Sequence, residues 1–258
     1  MQQHRELQIL TSTFHDSDNR LKESIVRYGS IVKETFQSTY IVVTPSTDQQ
    51  IIDALNALEF RILIGSKTII GTYKKALKSA LTSNFECIFY CDFDRILHWA
   101  STYPKELMEI ANSYFDHDFL LIGRTGRAFQ THPETQAVTE GIANQLASKI
   151  IGFNENRDII STCWRAKSRL VKKLLQLPAK NTYGFCCEWP IVAWRNALNP
   201  FYIKVEGLEW ETPDRYKEEI KEKGYERWLQ EFQTPDEWKK RSKILGDSIE
   251  SVSKYLRG

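Results

Sequence analysis

Apolar positions follow two regimes along the chain, and the change comes near its middle. In the first half, short β-branched or apolar runs alternate with stretches in which apolar residues recur at helical spacing. The runs 7–13, 39–44, 61–65, 88–92 and 119–123 read as strands. Short apolar runs bounded by turn residues suit strands covered on both faces. The stretches 18–36, 47–58, 72–81 and 103–114 read as helices. Asp18 is expected to cap the first of these, and Leu55 and Leu58 to face inward from the second. Pro104 falls in the first turn of the fourth, where its missing N–H is tolerated. Regular alternation of this kind predicts an α/β fold with a mostly parallel sheet, flanking helices and right-handed crossovers.

The second half reads differently. Residues 133–151 form one long helical pattern, 158–164 is extended, 168–177 and 188–196 are helical, and 201–206 returns to strand. Beyond Glu211 the chain is highly charged, with helical patterns over 214–223, 225–232 and 236–256, punctuated by Pro213 and Pro235. That region still places Tyr216, Ile220, Tyr225, Trp228, Leu229, Phe232 and Trp238. Tyr216 and Ile220, and Trp228 and Phe232, are four apart and share helix faces. Such faces need covering, either by the same domain or by a dimer contact or acceptor lid. The expected organisation is a domain over 1–208 with a helical C-terminal extension over 209–258 packed on it. No internal repeat or low-complexity tract is present.

Composition narrows the class. The 258 residues are 41% hydrophobic, enough for one substantial core. With 35 basic and 33 acidic residues the net charge is +2, so nothing calls for a nucleic-acid partner. No apolar run approaches the roughly 18 residues of a membrane span. The opening MQQHRELQIL lacks the form of a signal peptide. Five cysteines without a C-x-x-C pair read as reduced, buried thiols. These features together predict a cytoplasmic protein.

The chemistry concentrates in Cys87-Ile88-Phe89-Tyr90-Cys91-Asp92-Phe93-Asp94. An apolar strand ending in two aspartates puts carboxylates where open α/β sheets bind ligands. Asp92 and Asp94 converge only if the strand ends and turns there. Paired hard oxygen ligands suit Mn²⁺ or Mg²⁺, which commonly neutralises a diphosphate. Arg124 follows the run FLLIG and Lys67 follows RILIG, so both are candidate diphosphate cations at strand ends. Lys74 and Arg127 are further candidates. Glu188, flanked by Cys187 and Trp189, is a candidate general base in a partly apolar pocket. The same carboxylate is equally placed to be a helix N-terminal residue stabilised by the dipole. His15, His98 and His132 are possible metal or phosphate groups. Trp164, Trp189, Trp194 and Trp210 either stack on sugar or pack the core.

Taken in order, these segments resemble the family 2 glycosyltransferases of GT-A fold, nearest those related to polyprenyl-phosphate (dolichyl-phosphate) mannosyl- or glucosyltransferases. The similarity runs from about residue 7 to about residue 206. Asp92-Phe93-Asp94 is similar to the family's metal-binding Asp-X-Asp, and His98 with Tyr103-Pro104-Lys105 to the short helix after it. Gly71-Thr72-Tyr73-Lys74 resembles a basic glycine-containing helix start. Asp158-Ile159-Ile160-Ser161 through Arg165 resembles an Asp-x-x-Ser-Gly-Phe-Arg segment, with Cys163 at the glycine and Trp164 at the phenylalanine. Ile96 stands where relatives often place another polar metal contact.

The resemblance implies a GT-A, Rossmann-like fold and hexosyl transfer from a GDP- or UDP-hexose with inversion. It implies nucleotide contacts from Thr11, Thr13, Thr44, Asp48, Lys67, Lys74 and Asp92, and a metal on Asp92 and Asp94. It also implies catalytic roles for Asp94, Arg124 and Glu188. The acceptor stays open between a lipid phosphate at the membrane periphery and a small soluble molecule, and a homodimer is possible. Two other readings compete. One is a sugar-nucleotide nucleotidyltransferase, disfavoured because residues 11–18 contain no glycine. The other is a catalytically silent nucleotide-sugar-binding protein.

Overall fold

A computed structural model describes residues 8–83, 85–178 and 180–257. Leu7 and the N-terminal residues before it, read above as a strand start and as lacking a leader, lie outside the described residues. Seven strands form one sheet: β1 (Gln8–Phe14), β2 (Thr39–Val43), β3 (Arg61–Ile64), β4 (Cys87–Tyr90), β5 (Phe119–Arg124), β6 (Trp164–Lys167) and β7 (Pro200–Val205). Their order is β3-β2-β1-β4-β6-β5-β7. All pairings are parallel except those of β6, which runs antiparallel between β4 and β5. The expected mostly parallel sheet with flanking helices is therefore present. Its antiparallel member starts at Trp164, where the sequence pattern has its extended segment end.

Strand residues alternate between two apolar layers. Leu10, Ile41, Val43, Phe89, Leu120 and Ile122 face one core with α1 (Lys22–Thr35), α2 (Gln49–Ala57), α4 (Phe93–Thr102) and α5 (Pro104–Ala111). Ile9, Val42, Ile88, Tyr90, Phe119 and Leu121 face the other. That layer is closed by α3 (Ile69–Leu81), α7 (Glu134–Ile151), α8 (Ser168–Gln176) and α9 (Phe185–Asn196). The period of two along each strand thus serves both layers.

Local chemistry sets the helix starts. Asp48 caps α2 by accepting Gln50 N–H at 2.8 Å, and Thr68 caps α3 by accepting Gly71 N–H at 3.3 Å. The first helix corrects the expected cap. Asp18 has a side chain 66% exposed, whereas Asp16 is buried and its carboxylate accepts Arg20 N–H at 3.2 Å and Leu21 N–H at 2.8 Å. Asn19, with φ 58°, turns the chain between them. Two helices, α4 and a short one over Gly126–Gln130, are absent from the expected elements. Phe93, Ile96, Leu97 and Ala100 recur at helical spacing and are all buried, so α4 begins immediately after Asp92.

The C-terminal region comprises a 3₁₀ turn (Thr212–Arg215), α10 (Lys217–Lys223), α11 (Tyr225–Leu229) and α12 (Pro235–Val252), after the short α6 (Gly126–Gln130) earlier in the chain. Trp228 is fully buried, with Trp210 at 5.3 Å, Tyr216 at 5.5 Å and Phe232 at 4.8 Å between ring centroids. Helix α12 packs against α7 and α9. The face carrying Trp228 and Phe232 is thus covered within the same chain, whereas Tyr225 stays 40% exposed. No helix among the described residues is long and apolar enough to cross a membrane.

Candidate active site

Strands β1 to β4 run parallel, so their C-terminal ends open on one edge of the sheet. A cavity of about 550 Å³ lies there. Its walls include Thr13 from β1, Thr44 after β2, Lys67 after β3, and Asp92 and Asp94 after β4. Tyr90 ends β4 and Phe93 begins α4, so the strand does end and turn between the aspartates. Asp92 occupies the helix N-cap position, yet its side chain makes no cap bond. The carboxylate turns instead to a set of hydroxyls. Thr13 donates to Oδ1 at 2.7 Å and Tyr90 at 2.9 Å; Tyr73 and Thr162 approach Oδ2 at 3.4 and 3.3 Å. Burial pushes the Asp92 carboxyl above its ordinary range, against the pull of Arg95, and the neighbouring Asp94 charge adds to the rise. Burial and the same Asp92 charge hold Tyr73 and Tyr90 well above the usual phenol value, so both remain hydroxyl donors.

Asp94 sits in the first turn of α4. Its Oδ2 accepts Arg215 Nη2 at 2.9 Å, and its Oδ1 accepts Arg95 N–H at 3.0 Å. Arg215 also reaches the carbonyl of His15 at 2.9 Å and the Asp16 carboxylate at 3.5 Å. Glu211 lines the same cavity, with its Oε2 buried and 3.7 Å from Arg95 Nε. Burial raises the Glu211 carboxyl, opposed by Arg95 and reinforced by Asp94. Arg95 itself donates to the carbonyl of Ser161 and to Thr162 Oγ1.

The donor chemistry of this group fits a Mn²⁺ or Mg²⁺ ion of the kind held by two carboxylates, with waters and phosphate oxygens completing the shell. Among the described residues no cluster of three His, Cys, Asp or Glu side chains forms a complete protein shell. Ile96 is fully buried in the core, so the position two after Asp94 offers no ligand. Asp94 would have to exchange Arg215 for the ion.

Several residues singled out in the sequence lie elsewhere. Thr11 is fully buried and donates to the Ala76 carbonyl at 2.8 Å. Lys74 donates to the carbonyls of Leu175 and Leu177 at 3.2 and 2.8 Å, closing the end of α8. Asp48 is occupied as the α2 cap and does not line the cavity. Arg124 is the largest displacement from expectation. Its guanidinium is fully buried and grips both oxygens of Asp158, at 2.6 and 2.9 Å. It also meets Glu140 at 2.6 Å and His132 Nε2 at 2.9 Å. Burial and the Arg124 charge hold His132 well below its ordinary value, leaving it a neutral acceptor.

Arg127 pairs with Glu206 and Glu209 on the surface. Glu188 lines a separate cavity of about 340 Å³, paired there with Lys254 and bonded by Tyr255 at 3.0 Å. It is held away from the aspartates because α9 directs it toward the end of the C-terminal region. His98 is tied to Asp214 and Glu209, while His15 lines the main cavity with Thr44 at 2.7 Å. Trp164 stacks on Tyr90 at 5.2 Å, and none of the four tryptophans lines the main cavity.

A second cavity of about 270 Å³ adjoins the first through Tyr73, Asp92, Arg95 and Tyr183, which line both. Its far wall is built by α7 and α12. Arg95, Thr162, Tyr183, Glu211 and Arg215 were missed in the sequence. Arg95 had one signal, its place in the first helical turn after Asp94, and Glu211 had its place soon after the last strand; Arg215 had none.

No protein-family profile matches this chain, and no curated protein matches it. Solved structures of glucosyl-3-phosphoglycerate synthase from Mycobacterium tuberculosis are similar to it. The complex with uridine diphosphate aligns at TM-score 0.49 and 12% identity, covering 78% of this chain and 71% of that one. The complex with Mn²⁺, uridine diphosphate and phosphoglyceric acid aligns at TM-score 0.49 and 13% identity, covering 77% and 68%. A further mycobacterial protein aligns at TM-score 0.48 and 14% identity, covering 76% and 66%.

Proposed function

We propose that this chain is a metal-dependent glycosyltransferase that moves a hexose from a GDP- or UDP-hexose to an acceptor, with the inversion its family resemblance implies. One observation carries the reading: Asp92, Asp94, Thr13, Thr44 and Lys67, from four successive strand ends, line one cavity of about 550 Å³. That size is typical of a small-molecule site. Asp92 and Asp94 would hold Mn²⁺ or Mg²⁺, which when bound supplies charge neutralisation for a departing nucleoside diphosphate. Thr13 and Tyr90 fix the orientation of Asp92 through its Oδ1. Lys67 is exposed at the cavity rim and free to swing toward phosphate oxygens. Thr44 and His15, bonded to each other, form the wall beside β1 and β2 against which the nucleoside would lie. Glu211 replaces Glu188 as the candidate to take a proton from an acceptor hydroxyl. It lines the donor cavity, and its raised pKa suits a base better than an ordinary carboxylate. An acceptor that is already a phosphate would need no base.

A binding-only reading has one observation in its favour, the Arg215–Asp94 pair at 2.9 Å across the would-be metal site. Mn²⁺-dependent hydrolysis of a nucleotide-sugar separates the two, since a silent protein binds without turnover. Metal-dependent donor binding itself is tested by thermal stability with UDP-glucose or GDP-mannose, with and without Mn²⁺. Saturating donor with metal should raise Tm by roughly several degrees, and chelation should abolish the shift. Undiminished Mn²⁺-dependent donor binding by Asp94→Asn would remove the assignment.

A further inference from the structure

The second cavity holds a cation with no hydrogen bond or ion pair among the described residues. Arg241 projects from α12 into it, beside Lys240, Ile244, Leu245 and Ser248 of the same helix. The other arginines near the site are committed: Arg95 to Ser161 and Thr162, Arg124 to Asp158 and Glu140, Arg215 to Asp94. Lys240 leans on Glu237 at 3.1 Å on the surface. Arg241 has no hydrogen bond or ion pair among the described residues, and its Nε is buried without a partner. Its charge adds, behind Arg124 and Arg95, to the lowering of the Glu140 carboxyl. That group is already bonded by Arg124 at 2.6 Å and by Gln136 at 2.7 Å. An unmet guanidinium donor facing an enclosed space is a cost to the folded chain unless a ligand meets it. The matching chemistry is a planar or tetrahedral oxyanion, which the guanidinium fork binds through paired, charge-assisted hydrogen bonds.

Resting on the glycosyltransferase reading, we infer that this cavity is the acceptor subsite and that Arg241, with Lys240 beside it, recognises a phosphate group carried by the acceptor. The position is consistent with that use. Tyr73, Asp92, Arg95 and Tyr183 are shared with the donor cavity, so a molecule anchored on Arg241 reaches the edge where a sugar would be released. The negative groups facing Arg241 from neighbouring elements are Glu140 on α7, bonded by Arg124, and Asp92, held by hydroxyls. The anchor lies on α12, outside the segments that resemble any family, so acceptor choice would be the property that this helix adds.

Phosphate could come from a soluble metabolite or from a lipid headgroup, and two arms distinguish them. Inorganic phosphate is titrated calorimetrically into the full chain, alone and with nucleoside diphosphate and Mn²⁺ present. Phosphatidylcholine vesicles containing phosphatidic acid are tested by co-sedimentation. Arg241→Gln should weaken whichever response the parent gives by about tenfold or more, as expected for a lost bidentate contact. Arg241→Lys should recover part of it, and Lys243→Gln on the exposed side of α12 should leave it unchanged. Nucleoside diphosphate binding should persist in Arg241→Gln. A phosphate response that survives Arg241→Gln but falls in Lys67→Gln would place the ion in the donor cavity and overturn the inference. So would an absence of response in both arms. If the parent binds no nucleoside diphosphate, the glycosyltransferase reading fails while the Arg241 site is still judged by phosphate alone.

Discussion

Arg124 illustrates how a residue's surroundings decide its role. At the end of an apolar strand it has the position expected of a phosphate-binding cation. In the fold it is the hub of a buried cluster, bonded to Asp158, Glu140 and His132. Burial opposes its charge, but Asp158 and then Glu140 outweigh that and hold its pKa above the ordinary arginine value. Asp158 and Glu140 are held below the usual carboxylate range in spite of their burial, chiefly by Arg124. Asn144 adds to the cluster by donating to Asp158 at 2.9 Å and accepting the N–H groups of Ile159 and Ile160. Removing one partner of such a set leaves uncompensated buried charge, which costs roughly 3–5 kcal/mol. Arg124→Met is therefore expected to lower stability by that order in denaturant unfolding. Donor affinity of the folded fraction should stay near that of the parent. A large loss of affinity with unchanged stability would return Arg124 to the diphosphate.

Between elements, His98 is the clearest coupling. It lies on α4, which starts at the Asp92 turn, and it bonds Asp214 at 2.7 Å, within the 3₁₀ turn that carries Arg215, and Glu209 at 3.3 Å in the segment leading into that turn. Burial disfavours its charged form, but the Asp214 hydrogen bond and the surrounding carboxylates prevail and raise its pKa above the usual 6.5. A base whose folded pKa is raised stabilises the fold fully below its unfolded value and loses that contribution as pH rises through the folded value. Stability should accordingly decline more steeply in the parent than in His98→Asn as pH rises above about 6.5. Thermal unfolding across that range is the check, and parallel curves for the two proteins would mean that His98 binds protons equally in the folded and unfolded chain, against the raised value. Much at this scale was legible beforehand. The strands and most helices follow the apolar periodicity, because burial of one face is a local requirement on spacing. Helix α4 escaped notice because Asp-Phe-Asp followed by Arg95 looks polar until Ile96, Leu97 and Ala100 are counted with Phe93.

Across the whole molecule, the C-terminal region completes the core and lines two cavities. Trp228 and Val252 are fully buried, Ser251 donates to the Gly184 carbonyl at 2.9 Å, and α12 covers α7 and α9. The same region supplies Glu211 to the main cavity and Arg241 to the second. Truncation after Glu211 would expose Trp210 and the flanks of α7 and α9, each large side chain forfeiting about 1.5–3 kcal/mol of burial. The truncated chain is expected to be insoluble or to lack a cooperative unfolding transition. A soluble, cooperatively folding product that binds donor but transfers nothing would instead make the region a detachable lid.

The sequence by itself determined the alternation of strands and helices, hence a mostly parallel sheet. It also placed Asp92 and Asp94 at the mouth of β4. Both follow from patterns within a few residues of each other. The tertiary structure decided that β6 enters antiparallel between β4 and β5. It decided too that the left-handed residue in the 158–165 segment is Thr162, φ 55°, and not its neighbour Cys163, which is buried. A β-branched residue is strained in that conformation, and here it is held with its hydroxyl near Asp92. The tertiary structure alone also brought Arg215 onto Asp94 and left Arg241 without a partner among the described residues. Coulomb and hydrogen-bond energies depend on distance in space. Residues separated by more than a hundred positions therefore carry no mark in the local pattern of the partner that folding will give them.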